Sequence, residues 1–166
     1  MLKKPWSIVY FFRLLWIILS VVLICYVIGQ NVFTGRTLVY DLDFTRPISR
    51  NTDGWYPQQR LAYEPSGLVA IKGEPLYLKV YLPVQFETLL VKGTVATSTT
   101  PMRLGLRQKD GGWFFKGINE QQVAISFMLD QAKVQRRQLE LILSMPGLSA
   151  TSTVEINNNW QLIFQR

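Results

Sequence analysis

The sequence predicts an all-β fold, an antiparallel β-sandwich of the jelly-roll type, preceded by one N-terminal transmembrane α-helix. Two observations carry this prediction. Residues 6–28 are almost entirely apolar and contain one charge, at Arg13. From residue 38 onward, short stretches alternate apolar and polar residues, and Gly, Pro and Asn separate them at intervals of about 8 to 14 residues, as in sandwiches and jelly rolls.

The apolar segment is predicted to be a transmembrane helix over residues 6–29. About 23 helical residues rise about 35 Å, which exceeds the hydrocarbon core of a bilayer, about 30 Å thick. Trp6 and Tyr26 suit the two membrane interfaces, and the long side chain of Arg13 can extend toward the inner one. These three residues are the expected membrane contacts, and the lipid bilayer is the first expected partner.

The charges before this segment predict its orientation. Lys3 and Lys4 lie within residues 1–5, and Lys and Arg accumulate on the side that is not translocated. Residues 1–5 are therefore expected in the cytoplasm, and the domain in the extracytoplasmic space of the cell envelope, behind a signal anchor in a single-pass membrane protein. A cleaved signal peptide with its apolar region at residues 14–28 is the alternative, but the apolar run continues upstream of Arg13 and the small-residue cleavage pattern is poor.

Residues 30–37 form a predicted polar linker, and residues 38–166 the predicted β-sandwich domain. Its strands are predicted at residues 38–44, 68–71, 76–82, 86–95, 102–107, 113–116, 123–129, 139–143, 154–156 and 160–164. Residues 109–112, Lys-Asp-Gly-Gly, predict a tight turn and therefore a hairpin of the strands on either side. An arrangement with the first and last strands adjacent is compatible with this pattern.

Two segments between the strands are predicted to be irregular or helical. Residues 45–67 are rich in Pro, Arg, Asn, Asp and Gly, which is typical of a long loop, with a short strand near residues 60–63. Residues 130–138 are polar and contain no proline, and Asp130 is a suitable helix cap. One or two helical turns are therefore expected there.

The composition argues against an enzyme. The chain contains no histidine and one cysteine, Cys25, which excludes a Ser-His-Asp triad, histidine-ligated zinc and an intrachain disulfide. The glycine-rich phosphate loops of nucleotide-binding proteins are absent from the sequence as well. The protein is therefore expected to have no catalytic residues and to need no cofactor.

The formal net charge of +7 does not by itself predict nucleic-acid binding. The first segment accounts for three of these charges, and the cations of the domain are scattered along the chain. Only Arg136-Arg137 and the pair of Arg107 and Lys109 come close to a cluster. Nucleic-acid-binding proteins usually show a denser basic stripe, so nucleic acid is not an expected partner.

One pair of carboxylates is a weak candidate for a metal site. Asp41 and Asp43 lie two residues apart on one predicted strand, so they point to the same side about 7 Å apart. Such a pair can bind Ca²⁺ together with loop carbonyls, or simply face water, and the second interpretation is the plainer one. No other metal site is expected.

Four aromatic residues are candidates for stacking on a sugar ring: Trp55, Tyr56, Trp113 and Trp160. Trp55 and Tyr56 lie in the longest predicted loop, whereas Trp113 and Trp160 begin strands close to loops. The alternative is a structural role: Trp113 and Trp160 would close the ends of the core, where large aromatic residues are common, and Trp55 and Tyr56 would likewise serve packing.

The strand pattern resembles that of a known family. Asp43-Phe44 opens the domain, residues 73–78 (Gly-Glu-Pro-Leu-Tyr-Leu) lead into a strand, and residues 160–164 (Trp-Gln-Leu-Ile-Phe) form the last strand. Residues 38–166 resemble in this respect the galactose-binding-like jelly rolls of carbohydrate-binding modules. The resemblance implies a domain that binds glycans or proteins, and it assigns no individual binding residue.

The expected function is therefore that of a membrane-anchored, non-enzymatic extracytoplasmic binding domain. Its expected ligand is an envelope glycan or a partner at the surface, such as another membrane protein. The alternative is a structural or scaffold subunit of a membrane protein complex, in which the helix contributes to recognition.

Overall fold

The computed structural model of the protein describes residues 6–32, 37–44, 52–119, 121–149 and 152–166, and in the first range it describes the side chains of residues 10–26. The chain divides into two compact units, Met1–Arg36 and Thr37–Arg166. The predicted cytoplasmic stretch 1–5, residues 33–36 of the predicted linker and residues 45–51 of the predicted loop lie outside the described residues.

Helix α1 runs from Trp6 to Val32 and so ends three residues beyond the predicted end at residue 29. It contains no proline, and its one glycine, Gly29, lies in the last turn, so nothing interrupts its backbone hydrogen bonds earlier. The large apolar side chains described in it are 49% to 67% exposed. Because they occupy nearly consecutive positions, this exposed apolar surface surrounds the helix.

Of the three expected membrane contacts, Arg13 and Tyr26 lie in α1 with exposed side chains. The side chain of Trp6 lies outside the described residues. Over the part of the chain that the structure describes, no helix is long and apolar enough to cross a membrane. The transmembrane helix predicted at residues 6–29 is therefore not identified as one in the structure.

Thirteen strands are found in the described part of the domain. They are β1 (Thr37–Leu42), β2 (Thr52–Tyr56), β3 (Leu61–Tyr63), β4 (Leu68–Ile71), β5 (Leu76–Tyr81), β6 (Thr88–Ser98), β7 (Met102–Arg107), β8 (Trp113–Ile118), β9 (Gln122–Met128), β10 (Val134–Gln135), β11 (Gln138–Ser144), β12 (Val154–Asn157) and β13 (Trp160–Gln165). A short 3-10 helix, Gln58–Arg60, lies between β2 and β3.

The strands form two antiparallel sheets. The first has the order β1-β13-β6-β12-β4-β3. Strand β9 lies off this path and pairs with β6 along the same residues that pair with β13, so it is on the edge of β6 opposite β13. The second has the order β2-β5-β11-β7-β8, and β10 pairs with the start of β11. The described part of the domain is mostly β-strand in two antiparallel sheets, which confirms the predicted all-β fold and is consistent with a β-sandwich. The first and last strands are neighbours, since Thr37 of β1 lies opposite Gln165 of β13.

The core is one cluster of buried apolar side chains drawn from both sheets. β5 shows how alternation builds it, because Leu76, Leu78 and Val80 are 0% exposed while Tyr77 and Lys79 between them point to the other side of the sheet. Burying each such aliphatic side chain contributes about 1.5–3 kcal/mol before the loss of conformational entropy is subtracted. The predicted hairpin around residues 109–112 is confirmed by the pairing of β7 with β8.

The prediction of an unbroken loop from residue 45 to the short strand near residue 60 is wrong at Trp55 and Tyr56, which belong to strand β2. This strand is irregular between Thr52 and Trp55, where Gly54 adopts a φ of 70°. A bulge of this kind removes the regular alternation by which a strand is recognised in a sequence. The short strand expected near residues 60–63 is β3.

The helical turns expected at residues 130–138 are also wrong. The backbone there bonds to the β7–β8 hairpin, since the amide of Lys133 donates to the carbonyl of Arg107 at 2.8 Å. The segment continues into β10, and a two-residue turn at Arg136 and Arg137 leads into β11. Both arginines have positive φ angles, 52° and 63°, which fit the tight turn of a β-hairpin and not a helix.

Candidate binding face on the second sheet

An aromatic surface covers the outer side of the second sheet. We call its four members, Tyr56 on β2, Tyr77 on β5, and Trp113 and Phe115 on β8, the aromatic face; all four are partly exposed. Tyr56 and Tyr77 are cross-strand partners with ring centroids 5.5 Å apart. The rings of Tyr77 and Trp113 are 6.1 Å apart. Three rings therefore form a continuous series on one surface of the sheet.

Gly105 on β7 allows the aromatic face to lie close to the sheet. It stands opposite Phe115 of β8 and Ile142 of β11. A Cβ atom at position 105 would lie 2.5 Å from Cγ2 of Ile142 and 2.7 Å from the ring of Phe115. Because those distances are shorter than carbon contacts in proteins, only glycine lets the ring rest directly on the strand.

Three cationic side chains lie over rings of the aromatic face, within the range of cation–π attraction. The distances from the charged group to the ring centroid are 4.4 Å for Arg103 over Phe115, 5.0 Å for Arg107 over Trp113 and 5.7 Å for Lys79 over Tyr56. Among the described residues, none of these cations has a carboxylate oxygen within 4 Å. The face therefore combines flat apolar surface with positive charge that no ion pair to another described residue neutralises.

The carboxylate of Glu140 lies beside the rings. The hydroxyl of Tyr56 donates a hydrogen bond to Oε1 of Glu140 at 3.2 Å. Burial, followed by the charge of Glu140 and this hydrogen bond, raises the pKa of Tyr56 to about 12. Tyr56 is therefore a neutral hydrogen-bond donor at physiological pH, and Glu140 keeps free acceptor positions toward the sheet surface.

The aromatic face includes two of the four aromatic residues predicted to bind a ligand, Tyr56 and Trp113. Trp55 and Trp160 are only 2% and 0% exposed, so neither presents a ring to a ligand. Both pack against Phe44, whose ring is stacked on Trp55 at 5.4 Å and stands edge-on to Trp160 at 6.0 Å. We therefore assign Trp55 and Trp160 to the core and not to the binding face.

The two carboxylates of the weak Ca²⁺ candidate are each bound by a side-chain amide. Nε2 of Gln161 donates to Oδ1 of Asp41 at 2.7 Å, and Nδ2 of Asn158 donates to Oδ1 of Asp43 at 2.7 Å. Within the described ranges, no three His, Cys, Asp or Glu side chains lie close enough together to hold a metal ion. These contacts tie β1 to β13 and to the loop before it, which is a structural role.

A cleft continues the aromatic face toward the β10–β11 turn. It has a volume of about 460 Å³, and we call it the basic cleft. It is lined by Lys79, Arg107, Lys133, Gln135, Arg136, Gln138 and Glu140. Lys79 and Arg107 belong to both surfaces, since they line the cleft and lie over rings of the face.

A second, larger cleft of about 900 Å³ shares Lys133 with the basic cleft. Its wall includes two exposed apolar side chains, Met128 at 65% and Val134 at 47% exposure. Lys109 and Arg137 also line it. This cleft is more apolar than the basic cleft and has no aromatic surface of the kind found on the second sheet.

Most of the site was not predicted from the sequence, although a signal for it was present. On β5 the buried positions alternate with Tyr77, Lys79 and Tyr81, so the outward positions carry aromatic and basic residues. On β8 the outward positions include Trp113 and Phe115. Outward aromatic residues on several strands of one sheet indicate a surface with a role beyond solubility.

No protein-family model matches this chain, and no curated protein shows significant similarity to it. The resemblance to galactose-binding-like jelly rolls stays a prediction.

Proposed function

We propose that this chain is a membrane-attached, non-enzymatic binding protein whose β-sandwich binds a glycan of the cell envelope through the aromatic face. The observation that carries the proposal is the series of partly exposed rings formed by Tyr56, Tyr77 and Trp113. A sugar ring has apolar C–H surfaces and a rim of hydroxyl groups. Aromatic rings flanked by polar side chains complement both parts.

Polar groups beside the rings supply partners for sugar hydroxyls. Glu140 accepts hydrogen bonds, and the amides of Gln135 and Gln138 both donate and accept them. These groups lie on the same sheet surface as the rings, on β10 and β11. A ligand that stacks on Trp113 or Tyr77 therefore has hydrogen-bonding groups within reach.

The attachment to a membrane is proposed for helix α1. Residues 10–26 of this helix present apolar side chains on all sides, and such a surface is unfavourable in water at about 25 cal/mol per Å². The hydroxyl of Ser20 donates to the carbonyl of Trp16 at 2.8 Å, so this polar group is satisfied within the helix, as lipid requires. Lys3 and Lys4 support the cytoplasmic location of the N-terminus.

Fractionation of cells that express the full chain tests the attachment. The protein is expected to stay in the membrane pellet after the membranes are washed at alkaline pH. Its domain is also expected to be digested when protease is added to cells whose plasma membrane is intact and whose outer barrier has been removed. Release into the supernatant by the alkaline wash would contradict the membrane attachment. Resistance to the protease in cells and digestion only after lysis would contradict the orientation.

Retention on insoluble polysaccharides tests the glycan binding. The full chain in mild detergent is passed over a panel that includes peptidoglycan, chitin and cellulose. Trp113→Ala and Tyr77→Ala are expected to weaken retention at least tenfold, because each removes one ring of the series. Phe114→Ala is the matched control, since Phe114 is the next residue on β8, is 45% exposed, and packs its ring on Phe127 at 6.2 Å.

Equal retention of a folded Trp113→Ala variant and the unchanged protein would contradict the aromatic face as the binding surface. A scaffold role remains the second candidate, because the apolar surface around α1 also suits packing against another helix. Replacing α1 by a polyleucine helix of equal length distinguishes the scaffold role from glycan binding. Loss of a membrane complex on this replacement, with glycan retention unchanged, would favour the scaffold.

A further inference from the structure

The basic cleft carries an excess of positive charge at one end of the aromatic face. Four of its lining side chains are cationic, Lys79, Arg107, Lys133 and Arg136, against the single carboxylate of Glu140. The formal excess is thus three positive charges within a volume of about 460 Å³. Concentrated charge of one sign in a concave site attracts a ligand group of the opposite sign.

Two of the four cations of the cleft, Lys79 and Arg107, lie over aromatic rings. Arg107 rests on Trp113 and Lys79 on Tyr56, and neither forms an ion pair among the described residues. The Glu140 carboxylate instead accepts a hydrogen bond from Tyr56. The backbone of Lys133 is tied to that of Arg107 by a hydrogen bond of 2.8 Å. An anion entering the cleft therefore meets two cations that lie over rings and that form no ion pair with another described residue.

The position of Arg136 also indicates that the cleft has a role in binding. It is the first residue of the two-residue β10–β11 turn and has a φ of 52°, and Arg137 follows with a φ of 63°. Turns of this geometry favour Asn and Gly, because other side chains are strained at positive φ. The chain has arginine at both positions, and the Arg136 side chain lines the basic cleft. A strained turn that supplies a cation to a cleft is expected where the cation has a role.

We propose that the basic cleft binds an anionic substituent, a carboxylate, sulfate or phosphate, of a glycan whose sugar ring stacks on the aromatic face. This inference rests on the proposed function and adds the class of ligand. The cleft and the face share Lys79 and Arg107, so one polymer can place a ring on Trp113 and a negative group against Arg107, Lys133 and Arg136. Arginine and lysine bind such oxyanions through charge-assisted hydrogen bonds.

Glu140 favours a glycan over single-stranded nucleic acid as the occupant. A nucleic acid carries a phosphate at every nucleotide. A carboxylate inside the cleft repels a polymer with such closely spaced negative charges. A glycan with spaced negative groups presents hydroxyls between them, and these can donate hydrogen bonds to Glu140. The amides of Gln135 and Gln138 in the same cleft serve the same hydroxyls.

The test compares three polymers with one backbone: dextran, carboxymethyl dextran and dextran sulfate. Their affinities for the full chain in nanodiscs are measured at several salt concentrations, with single-stranded oligothymidylate as a fourth probe. The double variant Lys133→Gln/Arg136→Gln removes two cleft cations and leaves the two that lie over rings. Lys72→Gln/Lys92→Gln removes the same charge at two exposed positions outside the cleft and is the matched control.

The cleft variant is expected to weaken binding of the charged dextrans at least tenfold, to reduce the salt dependence, and to leave the affinity for neutral dextran unchanged. The control variant is expected to change the affinity for the charged dextrans less than threefold. Equal losses in the two double variants would overturn the cleft as the site, because general charge attraction would then explain the binding. Tighter binding of oligothymidylate than of the charged dextrans would overturn the glycan assignment.

The Trp113→Ala variant separates this inference from the proposed function. If Trp113→Ala weakens all three dextrans while the cleft variant changes none, the proposed function stands and the cleft inference is wrong. If the wild-type protein binds neither neutral nor charged dextran and is not retained on the insoluble polysaccharides, the proposed function and the cleft inference are both wrong. If it is retained there but does not prefer charged over neutral dextran, only the cleft inference is wrong.

Discussion

Trp55 and Tyr56 are adjacent in strand β2 and lie on opposite sides of the same sheet. Trp55 is 2% exposed and stacks on Phe44, which also contacts the fully buried Trp160. Tyr56 is partly exposed and stacks on Tyr77 at 5.5 Å. The sandwich therefore has two aromatic clusters, a core cluster of Phe44, Trp55 and Trp160, and the aromatic face on the outside.

The difference between the two clusters lies in what surrounds the rings. The core cluster is packed among aliphatic side chains, whereas three of the four rings of the aromatic face have a cation at 4.4 to 5.7 Å from the ring centroid. The same residue types therefore serve stability on one side of the sheet and are available for binding on the other. We expect substitutions in the two clusters to have separable effects on unfolding and on ligand affinity.

The largest expected effect on stability comes from Trp160→Ala. Trp160 is 0% exposed, and large-to-small substitution of a buried aromatic residue lowers the free energy of unfolding by about 3–5 kcal/mol. Urea denaturation followed by circular dichroism measures the change. A loss below about 1 kcal/mol would contradict the assignment of Trp160 to the core cluster.

A smaller effect is expected from adding one methyl group beneath a ring, at Gly93 or Gly105. A Cβ at Gly93 would lie 2.5 Å from the buried indole of Trp160, and a Cβ at Gly105 would lie 2.7 Å from the ring of Phe115. Gly93→Ala is expected to cost about 1–3 kcal/mol, as overpacking of a core does. Gly105→Ala also brings its Cβ to 2.5 Å from Cγ2 of Ile142, but it is expected to cost less, because Ile142 and Phe115 lie on the outer side of the sheet, outside the core cluster, and can shift toward solvent. The reverse order in urea denaturation would contradict this comparison.

Trp113→Ala is expected to lower the free energy of unfolding by only about 1 kcal/mol. The variant loses the cation–π contact with Arg107 and the buried part of the Trp113 ring, which is already partly exposed in the unchanged protein. The same variant is expected to lose at least tenfold in glycan affinity, which corresponds to about 1.4 kcal/mol. A stability loss as large as that of Trp160→Ala would show that Trp113 serves the core and not a binding surface.

The smallest expected effect concerns alkaline pH and distinguishes Tyr56 from a core ring. Its pKa is raised from 10 to about 12 in the folded protein, so between these values the unfolded chain releases the proton while the folded chain retains it. The stability contributed by Tyr56 is complete below pH 10 and is lost as the pH rises toward 12. Tyr56→Phe is expected to lose stability less steeply over this range in thermal unfolding.

Part of the alkaline decline is expected to persist in Tyr56→Phe. Burial also raises the pKa of Tyr40 and Tyr63, and both remain in the variant. A decline as steep as that of the unchanged protein would contradict the contribution of Tyr56. The melting temperature at pH 7 serves as the reference for each protein.

The parts of the fold that the sequence predicts well are those set by local chemistry. The turn at residues 109–112 has glycines where the chain must reverse, and Gly111 indeed adopts a φ of 91°, so the β7–β8 hairpin was predictable. β2 was missed because its bulge at Gly54 breaks the alternation and its partner β5 is distant in the chain. The helix expected at residues 130–138 is wrong because the segment forms its hydrogen bonds with distant residues of the β7–β8 hairpin.

The aromatic face depends on strand order, which no local pattern contains. Alternation predicts that Tyr77 and Trp113 lie on the outward sides of their strands. It does not predict that β5 and β8 belong to one sheet, or that the rings of Tyr77 and Trp113 meet at 6.1 Å. For the same reason, the burial of Trp55 and Trp160 became evident only from the packing around Phe44.

The pairing of β1 with β13 has a practical consequence. Because Thr37 lies opposite Gln165, the two ends of the sandwich unit are about 5 Å apart, and a short glycine–serine linker can join them. New termini can then be opened at the tight turn of residues 109–112, in a circular permutant that keeps every strand pairing described above. A fluorescent protein fused there would begin next to Trp113, at the edge of the proposed binding surface, where its emission could be used to test for ligand binding.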